Sequence, residues 1–102
     1  MKREKTKQDL LRILLKKIPR GRVSTYKVIA RKLGIHPRYA GYLLGKNDSP
    51  EKYPCYKIVR ANGTIGGYAL GTAKKKLLLR QDGIKITDDR VADFPSRVYY
   101  FR

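Results

Sequence analysis

The sequence predicts a mostly α-helical fold with a small β-hairpin, arranged like a winged helix-turn-helix. Three features carry that expectation. Leu10, Leu11, Leu14, Leu15 and Ile18 recur at helical spacing and form one apolar stripe. Two short helical stretches, parted by Gly34 and a brief Ile35-His36 turn, have the form of a helix-turn-helix. Asn62-Gly63, set between apolar runs, is a two-residue hairpin signal.

Taken in order, residues 1–5 are polar and are expected to fray. Thr6 to Lys17 reads as the first helix. Thr6 is its N-cap, Asp9 lies near its positive end, and Pro19-Arg20-Gly21 stops it. Arg22-Val23 is extended. Ser24 is read as the N-cap of a second helix, Thr25 to Leu33, closed by Gly34. A third runs from Pro37 to Leu44 with Gly45 as its stop. Asn47 to Tyr53 is a loop. Tyr56 to Arg60 reads as a strand that returns through Thr64-Ile65. A glycine-rich loop, 66–71, lacks the spacing of a phosphate-binding loop. Thr72 is read as the cap of a fourth helix, Ala73 to Gln81, closed by Asp82-Gly83. Ile84 to Thr87 alternates like a strand, Asp88-Asp89 is a turn, and 91–94 and 98–101 are read as extended. The expected organisation is one domain over residues 1–102, with 84–102 as a C-terminal extension.

The 102 residues carry 25 Lys and Arg against 8 Asp and Glu, a net charge of +17. That self-repulsion suggests a polyanionic partner. Its distribution favours nucleic acid over general basicity. No acid lies between Leu10 and Asn47, a stretch holding Arg12, Lys16, Lys17, Arg20, Arg22, Lys27, Arg31, Lys32, Arg38 and Lys46. The third helix is then the recognition helix. Its small Ala40 and Gly41 either allow close approach to a partner or pack against the second helix. No apolar run approaches a membrane span and the first residues do not resemble a signal peptide. A soluble, cytoplasmic chain that contacts no membrane is expected.

One cysteine excludes an internal disulfide, and one cysteine with one histidine cannot build a tetrahedral zinc site. No metal and no cofactor is expected. His36 sits at the start of the basic helix with no acid beside it, which suits a surface or phosphate contact better than a catalytic base. The chemistry left is that of Cys55 in Pro54-Cys55-Tyr56-Lys57-Ile58-Val59. It is read either as a nucleophile or as a small buried hydrophobe.

From Ile18 to Gly83 the chain resembles the DNA-binding, active-site domain of the O6-alkylguanine-DNA alkyltransferases. The resemblance rests on several motifs in order: Gly21-Arg22-Val23-Ser24-Thr25-Tyr26, Asn47-Asp48-Ser49-Pro50, Pro54-Cys55-Tyr56-Lys57-Ile58-Val59, Gly66-Gly67-Tyr68-Ala69-Leu70-Gly71 and Leu78-Leu79-Arg80-Gln81-Asp82-Gly83. It implies a DNA-binding domain that enters the minor groove, extrudes an O6-alkylguanine and moves the alkyl group irreversibly onto Cys55. By position, Arg38 matches the finger that takes the place of the flipped base. Tyr39, Ala40, Gly41 and Tyr42 fall on the DNA-binding helix. Tyr26 matches the tyrosine at the 3′ phosphate that donates to the departing guanine. Asn47 matches the hinge of the active-site turn. Pro50, Tyr68, Ala69 and Leu70 line the base pocket. Tyr56 and Asp82 stand where the family has the histidine and glutamate that draw off the thiol proton.

Tyrosine is a poor base near neutrality, since its reference pKa is about 10. Lys57 stands for an arginine, Asp82 is one methylene short of glutamate, and Leu70 suggests a tight pocket that rejects bulky adducts. Three functions follow: an alkyl acceptor, a non-transferring alkyltransferase-like protein that flags lesions, or a basic helix-turn-helix module with a structural cysteine. Stand-alone domains of this length resemble the alkyltransferase-like proteins, which replace the cysteine; this chain keeps it. The expected partner is double-stranded DNA containing O6-alkylguanine, met by a monomer, with a second repair protein as a further partner.

Overall fold

The computed structural model describes residues 5–68 and 70–101. Most of the expected frayed start (residues 1–4) and Ala69 of the expected base pocket lie outside the described residues. Helix α1 spans Lys7–Lys17. Thr6 Oγ1 accepts from the Asp9 amide at 3.1 Å, and Asp9 Oδ2 accepts from the Thr6 amide at 3.0 Å. This reciprocal box satisfies two amides that a helix start leaves open.

Ser24–Thr25 is a short strand, β1, and Thr25 rather than Ser24 caps the next helix. The Thr25 hydroxyl accepts from the Val28 amide at 3.0 Å, while Ser24 Oγ donates to the Tyr99 carbonyl. Helix α2 is Tyr26–Leu33, ended by Gly34 at φ 70°. Helix α3 is Pro37–Gly45. His36 caps it through Nδ1, which accepts from the Arg38 amide at 3.0 Å. That gives the histidine a structural task beyond the surface contact expected of it.

The expected strand at 56–60 forms only in part. Cys55–Lys57 forms a single 3₁₀ turn, and only Ile58–Val59 is a strand, β2. It pairs in parallel with β1, Ser24 opposite Ile58 and Thr25 opposite Val59. The turn at Asn62-Gly63 exists, closed by the Arg60 amide on the Thr64 carbonyl at 2.9 Å. Its return arm pairs elsewhere, through a bridge from Thr64 to Arg90.

Helix α4 is Thr72–Gln81; Gly71, at φ 95°, is its N-cap, so Thr72 lies inside the helix. The β-hairpin is β3 (Ile86–Thr87) with β4 (Arg90–Val91), and its two turn residues, Asp88 and Asp89, both take positive φ. Phe94, expected at the end of an extended piece, begins a four-residue helix, α5 (Phe94–Arg97). Val98 then bridges back to Val23, tying the C-terminal extension to the start of β1.

Two apolar clusters result. Leu11, Leu15, Ile29, Leu33, Ala40 and Leu43 hold α1, α2 and α3 together. Val23, Ile65, Leu79, Ile84 and Val91 hold α4 and the hairpin. Successive residues of a strand point to opposite faces. Ile58 therefore enters the first cluster and Val59 the second, so β2 joins them immediately after the cysteine turn.

A second tie is polar. Lys57 is buried, and its Nζ reaches the carbonyls of Ile18 (3.2 Å) and Pro19 (3.0 Å) and Asp82 Oδ2 (3.0 Å). Asp82 Oδ2 also accepts from the Gly21 amide at 3.0 Å. Removing one partner of such a pair strands a buried charge. Asp82→Ala is expected to cost about 3 kcal/mol or more, and Thr25→Ala, which removes only a cap, about 1 kcal/mol. Urea denaturation of the two variants beside the parent checks that order.

Candidate functional site

Pro54 leads into the 3₁₀ turn that carries Cys55, and the turn is held from both sides. The Tyr53 carbonyl accepts from the Cys55 amide at 2.7 Å and from Asn47 Nδ2 at 2.8 Å. Asn47 Oδ1 accepts from the Ser49 amide at 3.1 Å. One asparagine at the end of α3 thereby fixes both ends of the loop before the thiol. Beyond Cys55, Lys57 anchors the turn through the Asp82 network.

The thiol faces a pocket of about 600 Å³. Of the residues singled out from sequence, Tyr26, Gly41, Asn47, Pro50, Cys55, Tyr68 and Leu70 line it. These residues come from α2, α3, the 47–54 loop, the cysteine turn and the glycine-rich loop, so only the tertiary fold assembles them. Tyr26 lies between Gly41 and Gly66. A Cβ at Gly41 would stand 3.9 Å from its ring, and one at Gly66 would stand 3.4 Å from its hydroxyl. Leu70 lines the pocket while 55% exposed, which puts it at the rim.

Tyr56 and Asp82 do not line this pocket. The ring of Tyr56 packs against the second apolar cluster. Burial first and the Asp82 carboxylate second push its hydroxyl pKa up, which keeps it protonated and unfit as a base. Asp82 is occupied by Lys57 and the Gly21 amide, with Arg20 at 3.9 Å. A relay from Asp82 through residue 56 to the thiol is therefore not built here. Ala40 is also corrected. It is fully buried between α3 and the core, since Ala40, Leu43 and Leu44 form the inward stripe of the helix, and it has no surface to offer a groove.

The outer face of α3 presents Arg38, Tyr39 and Tyr42. The two tyrosine rings are exposed and stack at 5.8 Å between centroids, 16° from parallel. Lys46 Nζ stands 5.0 Å from the Tyr42 ring centre.

Reading the sequence missed Lys75. It is buried in α4, and its Nζ donates to the carbonyls of Ile58 (2.7 Å) and Gly67 (3.1 Å). Burial lowers its pKa to about 8, opposed by the pull of a Cys55 thiolate. The available signal was helix phase: Lys75 precedes the fully buried Leu79 by four residues. Tyr68 faces the same thiol. Burial first and Cys55 second push its hydroxyl up to about 12. Its buried Oη makes no hydrogen bond of good geometry, so it can still donate to a guest. Burial also raises Tyr26, against the pull of Arg60. The pocket thus offers one thiol, two protonated phenols and a nearby ammonium. Among the described residues no three His, Cys, Asp or Glu side chains group to hold a metal ion.

Residues 6–84 match the family described as 6-O-methylguanine DNA methyltransferase, DNA binding domain. A bifunctional methyltransferase/endonuclease of Picrophilus torridus is 44% identical over 80 residues, covering 76% of this chain and 27% of that protein. The methylated-DNA–protein-cysteine methyltransferase of Saccharolobus solfataricus is 46% identical over 72 residues, covering 71% and 47%. The chain thus spans less than half the length of these relatives. Atl1 of S. pombe, solved in complex with damaged DNA containing O6-carboxymethylguanine, has a TM-score of 0.81 at 22% identity, covering 96% of this chain and 98% of that one. At that identity the likeness concerns the fold.

The depressed Lys75 has a consequence for stability. Above about pH 8 the folded chain has released a proton that the unfolded chain keeps until about 10.5. The unfolded state then binds more protons, so stability from this group rises with pH across that window. Urea midpoints measured from about pH 7 to about pH 9.5, below the range where free tyrosine ionises, should carry this rising contribution. Lys75→Met should remove it.

Proposed function

We propose a function for this chain from the premise that it belongs to the 6-O-methylguanine DNA methyltransferase family, whose DNA-binding domain it carries over residues 6–84. The chain is a DNA alkyltransferase that takes the alkyl group of O6-alkylguanine onto Cys55. The observation that carries this reading is the thiol itself, facing a pocket walled by Tyr26, Asn47, Pro50 and Tyr68.

The exposed face of α3 enters the minor groove of double-stranded DNA, with Gly41 as its small contact and the Tyr39–Tyr42 stack beside it. The lesion leaves the stack, because its alkyl carbon is out of reach inside a duplex. Arg38 fills the vacated place. In the pocket the thiol gives up its proton to water. The Lys75 ammonium and the Tyr68 phenol favour the resulting negative charge. Sγ then forms a bond to the alkyl carbon as the carbon–O6 bond breaks. The electron pair passes to guanine, which is protonated with help from the Tyr26 hydroxyl. Sulfur keeps the alkyl group, so each molecule reacts once. The chain acts as a monomer in the compartment that holds the DNA.

A second reading is favoured by one observation: Tyr56 is no base and Asp82 is taken by Lys57. Without transfer the chain would be a lesion-binding protein that hands O6-alkylguanine to another repair protein. Incubation with a duplex containing O6-methylguanine, followed by intact mass, separates the two. The first reading expects stoichiometric gain of one methylene on Cys55, abolished in Cys55→Ser and slowed severalfold in Lys75→Met. Lesion-selective binding with no mass gain would establish the second. Equal affinity for alkylated and normal duplex at matched salt would defeat both.

Arg38 distinguishes flipping from simple charge. A guanidinium can stack and donate in a plane towards an orphaned base, and an ammonium cannot. Arg38→Lys is expected to keep most non-specific affinity and lose most lesion preference. A fluorescent base analogue beside the lesion reads the extrusion directly, and unchanged extrusion in that variant would refute the finger role.

A further inference from the structure

We infer that the cleft at Arg60 seats one backbone phosphate next to the extruded nucleotide, with the Arg60 guanidinium as its charged donor; the inference rests on the reading of the thiol pocket as the site of the extruded base. The cleft, about 380 Å³, is lined by Arg60, Thr64, Gly66, Gly67 and Thr72, with Asp89 as its one carboxylate. Gly67 also lines the thiol pocket, so one stretch of the glycine-rich loop walls both. Asp89 is engaged by Lys76, and among the described residues no carboxylate pairs with Arg60. Thr64 spends its hydroxyl on Asn62 Oδ1 at 2.7 Å.

Gly66 sets the relation of Arg60 to the thiol pocket. A Cβ built there would stand 3.4 Å from the Tyr26 hydroxyl and 3.5 Å from Arg60 Cγ. A single methyl would touch both side chains; glycine leaves the space between them open. The Arg60 charge is felt across it, since it opposes the burial that raises the Tyr26 pKa. Arg60 is itself exposed, at the start of the turn that its amide closes on the Thr64 carbonyl. A nucleotide carries its negative charge at the phosphates on either side of its sugar. With the base in the thiol pocket, the sugar stays at the mouth and a flanking phosphate lies beside it. A guanidinium there donates in a plane to two phosphate oxygens. That contact forms only after the base has left the stack, so it favours extrusion and adds to lesion preference.

The test uses the full chain and duplexes in which one phosphate is replaced by a neutral methylphosphonate, placed 5′ of O6-methylguanine, 3′ of it, or far from it. Lesion preference is measured as affinity relative to the same duplex with normal guanine, for the parent and for Arg60→Gln. The ratio cancels the general loss of affinity that removing a charge brings. In the parent, one of the two flanking replacements should lower lesion preference roughly three- to tenfold at low salt, and the distant one should not. Arg60→Gln should show the same loss on unmodified DNA and no further loss at that linkage. Losses that multiply, two flanking replacements without effect, or a preference unmoved in Arg60→Gln would each overturn the inference while leaving the base site intact. A parent with no preference for O6-methylguanine on unmodified DNA would overturn the site reading and the inference together.

Discussion

The buried bond between Lys57 and Asp82 is the constraint on which the rest of the structure depends. It joins three segments far apart in sequence: the end of α1 at Ile18–Pro19, the cysteine turn, and the end of α4. Lys57 makes two carbonyl contacts besides the ion pair, and Asp82 accepts from a backbone amide. Both charges are thereby neutralised and hydrogen-bonded, the condition under which a buried pair is tolerated. Because Lys57 is two residues from Cys55, the pair also fixes where the thiol stands. A carboxylate that serves this joint cannot also serve a proton relay, and residue 56 is left free to be tyrosine.

Local patterns in the sequence were legible where the physics is local. The α1 stripe and its Thr6–Asp9 box, Pro37 at the start of α3 and Gly34 after α2 depend on neighbours a few residues away, and they stand within a residue of expectation. The parallel pairing of Ser24–Thr25 with Ile58–Val59 was not legible, since two-residue strands leave no alternation to detect and their partners are distant. Ser24 spends its hydroxyl on the Tyr99 carbonyl, and the hydroxyl of Thr25 caps α2. Phe94–Arg97 is too short to show a helical period.

The pocket divides in the same way. Tyr26, Asn47, Pro50, Cys55, Tyr68 and Leu70 were found through ordered motifs, which carry spatial information that spacing alone lacks. Ala40 was misread because small size permits either close approach or close packing; only the position of α2 decides. Lys75 was missed because it sits in a run of three lysines, where charge reads as a solvated face. Its phase on α4 turns the middle one inward. The acids show a related economy. Four of the eight acids have tasks in the fold: Asp9 caps α1, Asp48 meets Arg12 at 3.3 Å, Asp89 meets Lys76 and Asp82 meets Lys57.

The paired rings on α3 have a consequence for the entropy of association. Tyr39 and Tyr42 each carry few rotatable bonds, and stacking against one another has already narrowed their rotamers, as has Lys46 over Tyr42. Immobilising a free, rotamer-rich side chain at an interface costs roughly 0.5–1.5 kcal/mol. Here much of that ordering precedes contact. A surface dominated elsewhere by long, mobile lysines and arginines thus holds one ridge whose shape is settled before any partner arrives.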